Sequence, residues 1–313
     1  MFLLLVLVAL AGSSQAFSQD TYRMRHLHDD ALKPPEPSLD RQLYDSFLRQ
    51  VSATDVASAS VTGVATIDLL ILHDPNLPSA SQTIQNLVSK ANGYFANSDV
   101  LVHLNVAAIV PFAIDSLSNS DLLRALTTGV YESDVDNLQE LYRGDMVAYV
   151  RPYDGGSSCG RAWVVGSGFT PSQSYIKRYS VSVSMTGSSG PFFCSDNTFA
   201  HELGHNFGAA HNRGNASVPP RFPYGYGNGV SGTFATVMSL LAPEVDLFSN
   251  PNLDCNGLPC GVVDSEDVAR AINEVRADYA AIFPDVPGAP TISSLTPKVA
   301  EISVAFTPSS TGP

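Results

Sequence analysis

The feature that most constrains this chain is a stretch in its second half that reads HELGHNFGAAH, from His201 to His211. Its first two histidines, His201 and His205, are four residues apart, so on a helix both imidazoles project from one face. Two neutral imidazoles at this spacing can bind one zinc ion, and Glu202 directly follows the first of them. The stretch therefore predicts a helix that carries two zinc ligands with a carboxylate beside them.

The end of the same stretch predicts a turn and a third ligand. Gly208 can adopt a left-handed backbone conformation, so the helix can stop there and the chain can bring His211 back to the metal. Three protein ligands leave the fourth position open, as in a catalytic rather than a structural zinc site. A buried helix that carries histidines by chance is the alternative, but three of the seven histidines fall in this one stretch. We therefore expect a catalytic Zn²⁺ site.

The stretch resembles the zinc signature of the metzincin metallopeptidases. In that family a turn containing methionine follows the signature and lies beneath the zinc, and Met238 in the segment 236–240 stands at a suitable distance. The resemblance implies an endopeptidase in which Glu202 is the general base that activates a zinc-bound water. The zinc ligands it implies are His201, His205 and His211.

The resemblance covers residues 62–283, which look like a reprolysin-like catalytic domain near the branch of the bacterial peptidyl-Asp metallopeptidases. The stretches that carry it are Cys159-Gly160, Thr198-Phe199-Ala200, Met238 and Phe248-Ser249-Asn250-Pro251. Two positions depart from related patterns. Asn212 stands where reprolysins usually have aspartate, and Leu240 stands where astacin-type enzymes have a tyrosine ligand. Both departures concern the subfamily and its specificity, not the zinc ligands or the base.

Strand and helix patterns alternate through this region, which predicts an α/β fold with a mostly parallel, twisted sheet. The resemblance implies that this fold is of the α+β metzincin type. The segment 179–185 alternates apolar and polar residues and is expected to be an antiparallel edge strand over the cleft, where an extended peptide can pair. The active-site helix is expected over 198–207, the Met-turn around Met238 and a long C-terminal helix over 266–283. The other expected strands are 66–73, 100–110, 145–150 and 161–165, and the other expected helices are 79–97, 121–127 and 133–142.

The N-terminus predicts export from the cell. Residues 1–11 are apolar but too few for a membrane span, which needs about 20 residues, and small residues follow up to Ala16. We expect a signal peptide over 1–16, a secreted protein and no membrane association after cleavage. An uncleaved anchor is the alternative, because the basic residues of a signal peptide are missing. Residues 17–61 are polar and rich in proline near their start, which indicates a propeptide or linker.

The four cysteines are expected to form two disulfides in an exported chain. Of the three possible pairings we favour Cys159 with Cys194 and Cys255 with Cys260, because the second pair closes a short Asn-Gly-Leu-Pro loop. A cysteine-ligated metal is the alternative, and the absence of a C-x-x-C spacing disfavours it. Asn215 lies in an Asn-Ala-Ser sequence, which is a candidate glycosylation site if the protein comes from a eukaryote.

The remaining observations concern partners and the C-terminus. The net charge of −13 argues against nucleic acid as a partner, and the expected partner is a protein or peptide substrate. Residues 284–313 contain a proline-rich linker and two alternating segments that resemble the start of a fibronectin type III domain, a fragment of a β-sandwich. The alternative function is an extracellular adhesion protein with a latent peptidase domain, and the complete set of His and Glu residues disfavours it.

Overall fold

The computed structural model describes residues 31–35, 63–284, 291–298 and 301–307, the last two as backbone only. The predicted signal peptide over 1–16 and most of the predicted propeptide or linker over 17–61 lie outside the described residues. Within the described residues, no helix is long and apolar enough to cross a membrane.

Helices and strands alternate through the first half of the described chain. The helices are α1 (Ala80–Asn97), α2 (Asn119–Thr128), α3 (Glu132–Tyr142), α4 (Gln173–Tyr179), α5 (Asn197–Asn206) and α6 (Val268–Ala280). The longer strands are β1 (Ala65–His73), β2 (Val102–Pro111), β3 (Met146–Pro152) and β5 (Val181–Ser189). The shorter strands are β4 (Gly160–Ala162), β6 (Phe192–Cys194), β7 (Gly229–Val230), β8 (Phe234–Ala235), β9 (Asp254–Cys255) and β10 (Leu258–Pro259). Strands β11 (Thr291–Lys298) and β12 (Glu301–Thr307) form an antiparallel hairpin.

The main sheet has the predicted mixed character. Its order is β2-β1-β3-β5-β4, with β6 paired to one end of β5. Strands β2, β1, β3 and β5 are parallel, whereas β4 and β6 run antiparallel to β5. The helical crossovers between the parallel strands explain why β1 and β3 are almost continuously buried, since a parallel sheet is covered on both faces.

The prediction that residues 179–185 form the antiparallel edge strand was wrong. Tyr179 ends α4, and β5 is an interior strand, parallel to β3 on one side and antiparallel to β4 on the other. The alternation in β5 does not mean exposure, because Ser182 and Ser184 are as buried as their apolar neighbours. The serine side chains are small enough to be buried between the sheet and the elements that pack on it, where larger polar side chains would not fit. The antiparallel edge strand is instead β4.

Both disulfides in the structure follow the pairing favoured from the sequence. Cys159–Cys194 joins the residue before β4 to the end of β6, shortly before α5 begins. Cys255–Cys260 closes the β9–β10 hairpin. The first disulfide therefore links the edge strand to the chain just before α5, whereas the second is local.

Removing the two disulfides is expected to have unequal effects on stability. The bridges span sequence separations of 35 and 5 residues. Loop-closure entropy predicts that Cys159→Ser with Cys194→Ser lowers the free energy of unfolding by about 4 kcal/mol, against about 2 kcal/mol for Cys255→Ser with Cys260→Ser. Urea unfolding of the two double variants beside the wild type measures the difference. Equal losses would contradict this order.

Candidate metal centre and active site

Helix α5 carries the first half of the signature and lies in the protein interior. It packs against β5, β4 and α1, and its residues from Thr198 to Asn206 are all buried. The helix ends at Phe207, and Gly208 follows with a φ of 90°. A Cβ at this glycine would lie 2.8 Å from the carbonyl oxygen of Val165, so both the backbone conformation and the space require glycine there. The turn at Gly208 directs the chain back toward His211.

The three histidines of the signature meet at one point. The Nε2 atoms of His205 and His211 are 3.0 Å apart, and those of His211 and His201 are 3.1 Å apart. All three side chains are buried. Three nitrogens bound tetrahedrally to one zinc at about 2.0–2.1 Å lie about 3.3 Å from one another. The spacing in the structure therefore fits the three histidines to a single metal ion.

The other ring nitrogens of two histidines contact backbone carbonyl oxygens, which fixes the form of each ring. Nδ1 of His201 lies 2.7 Å from the oxygen of Val237, and Nδ1 of His205 lies 2.9 Å from the oxygen of Ala209. A carbonyl oxygen only accepts hydrogen bonds, so each Nδ1 carries the hydrogen and each Nε2 keeps its lone pair. Burial, with the neighbouring His201, lowers the pKa of His205 and favours the neutral ring. This donor set is the one that zinc binds.

Glu202 lies between the helix and the edge strand. It follows His201 on α5, and it is fully buried. Its carboxylate faces Gly160 on β4, since a Cβ built on Gly160 would lie only 2.3 Å from Oε1 of Glu202. The sequence predicted a carboxylate next to the histidines, and the structure places that carboxylate directly below the antiparallel edge strand.

Met238 lies against the middle of the active-site helix. A Cβ built on Gly204, between the two helical histidines, would lie 2.3 Å from the Met238 sulfur. The preceding residue, Val237, supplies the carbonyl that holds His201. Asn212, which departs from the reprolysin pattern, accepts a hydrogen bond from the backbone N–H of Leu240 at 3.1 Å. The turn around Met238 is therefore linked by hydrogen bonds to His201, at the start of the signature, and to Asn212, directly after its end.

The polar residue Asn206 was not singled out from the sequence, although it lies inside the signature. Its amide nitrogen donates to the carbonyl oxygens of Trp163 at 3.2 Å and Val181 at 3.0 Å, which links α5 to β5 and to the chain just after β4. Its own carbonyl oxygen accepts a hydrogen bond from the hydroxyl of Tyr279 on α6. Asn206 could have been recognised in the sequence as an asparagine at a helix position with buried residues on both sides.

Residues 31–35, part of the predicted propeptide or linker, pair with the end of the edge strand β4 and the residues directly after it. The N–H of Leu32 donates to the oxygen of Ala162 at 3.2 Å, and the N–H of Val164 donates to the oxygen of Leu32 at 2.8 Å, in a parallel bridge. Tyr175 donates from its hydroxyl to the oxygen of Pro35 at 3.0 Å. These contacts were not expected, because the segment has no strand pattern of its own.

The other residues singled out from the sequence lie outside this centre. Asn215 is half-buried in the loop between the signature and the Met-turn. The Cys255–Cys260 disulfide packs with Phe234 in a small cluster separate from the main core. The active-site helix itself is close to the prediction, one residue earlier at each end.

Comparisons with known proteins agree with this geometry. Residues 81–212 match the model of a family described as metallo-peptidase family M12B, reprolysin-like. Among curated proteins, the chain is similar to the peptidyl-Asp metalloendopeptidase of Pseudomonas aeruginosa, with 28% identity over 280 residues, 78% of this chain and 45% of that protein. The protein of the same name from Xanthomonas campestris is 27% identical over 74% of this chain and 53% of its own length.

These matches support the resemblance to the metzincins, while the chain spans about half the length of the curated relatives it matches. Among solved structures, the fold is similar to that of a chain in "Structure of a chaperone-substrate complex", with a TM-score of 0.56, 21% identity, 71% of this chain and 35% of that chain. That similarity concerns the fold alone.

Proposed function

We propose that this chain is a zinc-dependent endopeptidase that hydrolyses proteins or peptides, with His201, His205 and His211 as zinc ligands. The observation that carries the proposal is the convergence of three buried histidines, with Nε2 of His211 lying 3.0 Å from that of His205 and 3.1 Å from that of His201, next to a buried glutamate. Hydrolysis of an unfolded protein substrate tests it. Activity should disappear with a zinc chelator and return when zinc is restored, and activity that persists without metal would contradict the proposal.

Glu202 is the general base in this proposal. His201, His205 and His211 would hold a zinc ion, which when bound would supply a Lewis acid that makes water acidic and polarises the substrate carbonyl. Glu202 takes the proton from the attacking water and then delivers it to the nitrogen that leaves. The carbonyls of Val237 and Ala209 keep two of the histidine rings in the tautomer that binds metal.

The substrate is proposed to bind in extended form along the side of β4 that does not pair with β5. This edge strand lies over Glu202, and an extended peptide can add to such an edge through backbone hydrogen bonds. The relatives are called peptidyl-Asp metalloendopeptidases, so a peptide bond adjacent to aspartate is the first type of bond to test. A peptide library with every residue at each position would reveal the preference of this chain.

Four segments are proposed along the chain. Residues 1–16 are a signal peptide and 17–61 a propeptide or linker, so that the protein is secreted. Residues 62–283 are the catalytic domain. Residues 284–313 are a linker and the start of a fibronectin type III domain, a reading supported by the antiparallel pairing of β11 with β12.

The segment 31–35 is proposed to keep the enzyme latent. It uses the oxygen of Ala162 and the N–H of Val164, the backbone groups that a substrate needs on this side of β4. Leu32→Pro removes the N–H that donates to Ala162. We expect this change to release the segment and to raise peptide hydrolysis by the full chain at least about tenfold, since two backbone hydrogen bonds and their packing are lost together. Initial rates on one peptide substrate measure the effect.

The control for this prediction is Lys33→Arg, which changes the exposed neighbouring residue and keeps its positive charge and every backbone donor. Amide hydrogen exchange gives a second measurement that does not depend on activity. The Val164 amide should be protected in the wild type and in Lys33→Arg, and it should exchange faster in Leu32→Pro. Unchanged protection and an unchanged rate in Leu32→Pro would rule out the latency role.

A further inference from the structure

We propose that Gly160 is a positioning residue for the general base: the missing side chain at this point of β4 creates the space that the Glu202 carboxylate occupies. The role of Glu202 itself rests on the function proposed above. The missing side chain of Gly160 acts on the reaction only through that glutamate. The proposal therefore concerns how the edge strand fixes the place of the base.

The distances between Gly160 and Glu202 leave no room for a side chain. A Cβ built on Gly160 would lie 2.3 Å from Oε1, 2.7 Å from Cδ and 2.7 Å from Cγ of Glu202. Carbon atoms in ordinary contact are about 3.5–4.0 Å apart. The overlap involves the stem of the glutamate as well as its end, and the glutamate is fully buried. A small rotation of the carboxylate cannot remove it.

The need for glycine here is one of space and not of backbone conformation. Eight glycines of the described chain have a positive φ, and Gly160 is not one of them. Its neighbours in β4 have ordinary side chains, and the strand pairs regularly with β5, Gly160 opposite Ser184. An alanine could therefore adopt the same backbone, and the glutamate is what it would meet.

Both β4 and α5 are held in place around the contact between Gly160 and Glu202, so the strand and the helix cannot easily move apart. On the strand side, the oxygen of Cys159 accepts from the N–H of Met185 at 2.7 Å, and Cys159 is bonded to Cys194 near the start of α5. On the helix side, Asn206 ties α5 to the sheet through two backbone oxygens. The strain of an added methyl group falls mainly on Glu202.

The expected kinetic result of Gly160→Ala is a fall in kcat of at least about 100-fold, because a displacement of a reacting group by about 1 Å has an effect of this size. We expect KM to change by less than about threefold and the zinc content to stay the same, since the backbone edge and the histidines are untouched. Gly93→Ala is the matched control, because a Cβ at Gly93 on α1 meets nothing within 4 Å. Wild-type kcat in Gly160→Ala would overturn the proposal.

A thermal unfolding experiment tests the same contact without any need for activity. Glu202→Ala removes all three atoms that the new methyl group would meet. Gly160→Ala should lower Tm by about 5 °C when Glu202 is present and by less than about 1 °C in the Glu202→Ala background, because only the first combination is overpacked.

The two experiments separate the possible failures. An equal loss of Tm in both backgrounds would mean that Gly160 serves the strand alone, and it would overturn the proposal even if kcat falls. If neither the wild type nor Leu32→Pro shows hydrolysis, the proposed function fails, while the two Tm differences still decide whether Gly160 makes room for Glu202. If Gly160→Ala alone does not fold, the Gly160→Ala, Glu202→Ala double variant should fold; its failure to fold would also count against the proposal.

Discussion

Glu202→Gln is expected to lower kcat for peptide hydrolysis by about 1,000-fold, within the range that a lost general base produces. The amide has nearly the same size and shape as the carboxylate, so the buried position between α5 and β4 stays filled. An amide cannot accept the proton of the attacking water, and the three histidines remain intact. Steady-state kinetics together with zinc analysis of the same sample would show low activity with unchanged metal.

Glu140→Gln is the matched control for this change. It removes the charge of a glutamate that is 61% exposed on α3 and pairs with Lys177 on the surface. Exposed pairs of this kind contribute about 1 kcal/mol or less to stability, so both kcat and stability should stay near the wild type. If Glu202→Gln kept more than about a tenth of the wild-type kcat, Glu202 could not be the general base.

His211→Ala is expected to weaken zinc binding by roughly 100-fold or more, since even indirect changes around a metal site reduce affinity 10–100-fold. This histidine comes from the turn after Gly208, whereas His201 and His205 come from the helix, so its loss opens one side of the site. The helix should persist because its packing against β5 and β4 does not involve His211. Competition with a chromogenic chelator measures the change in Kd.

The matched control is His103→Ala. His103 is exposed on β2 and is not a member of the histidine cluster. Its removal should leave both the zinc affinity and the hydrolysis rate unchanged. Equal zinc affinities for His211→Ala and the wild type would exclude His211 from the ligand set, and the site would then be a two-histidine site of a different kind.

The centre of the site could be predicted from the sequence because its ligands follow from helical geometry. His201 and His205 share a face at any position where their segment is helical. Gly208 could be expected to turn the chain, and its φ of 90° agrees with that expectation. Met238 needed the resemblance, since one methionine in an apolar segment carries no signal of its own. The structure places it against Gly204, between the two helical histidines.

The identity of the antiparallel edge strand could not be predicted, because the sequence does not show whether a small polar residue is buried or exposed. The alternation around Ser182 and Ser184 indicated a half-exposed strand, but serine is small enough to be buried in an interior strand. Helix α4 was missed for a related reason. Its N-cap is Ser172, and its last residue, Tyr179, was assigned to the predicted strand. The segment predicted as the edge strand is therefore the interior strand β5, and the antiparallel edge strand is the short β4.

Contacts between distant parts of the chain were also invisible from the sequence. Residues 31–35 add to the end of β4 because β4 is the last strand of the sheet, a property of the folded sheet and not of the segment. Gly160 gives no sequence signal either, since its requirement arises from the position of Glu202 in the folded protein. Such contacts depend on shapes that form only when the helix and the strand meet.

The most direct test of the central claim is a combined measurement of zinc content and peptide cleavage on the full chain. Wild type, Leu32→Pro and Glu202→Gln are incubated with one peptide library, and the cut sites are read by mass spectrometry. We expect one zinc per chain in all three, cleavage by the wild type that increases in Leu32→Pro, and none by Glu202→Gln. One zinc per chain with no cleavage by either the wild type or Leu32→Pro would contradict the account.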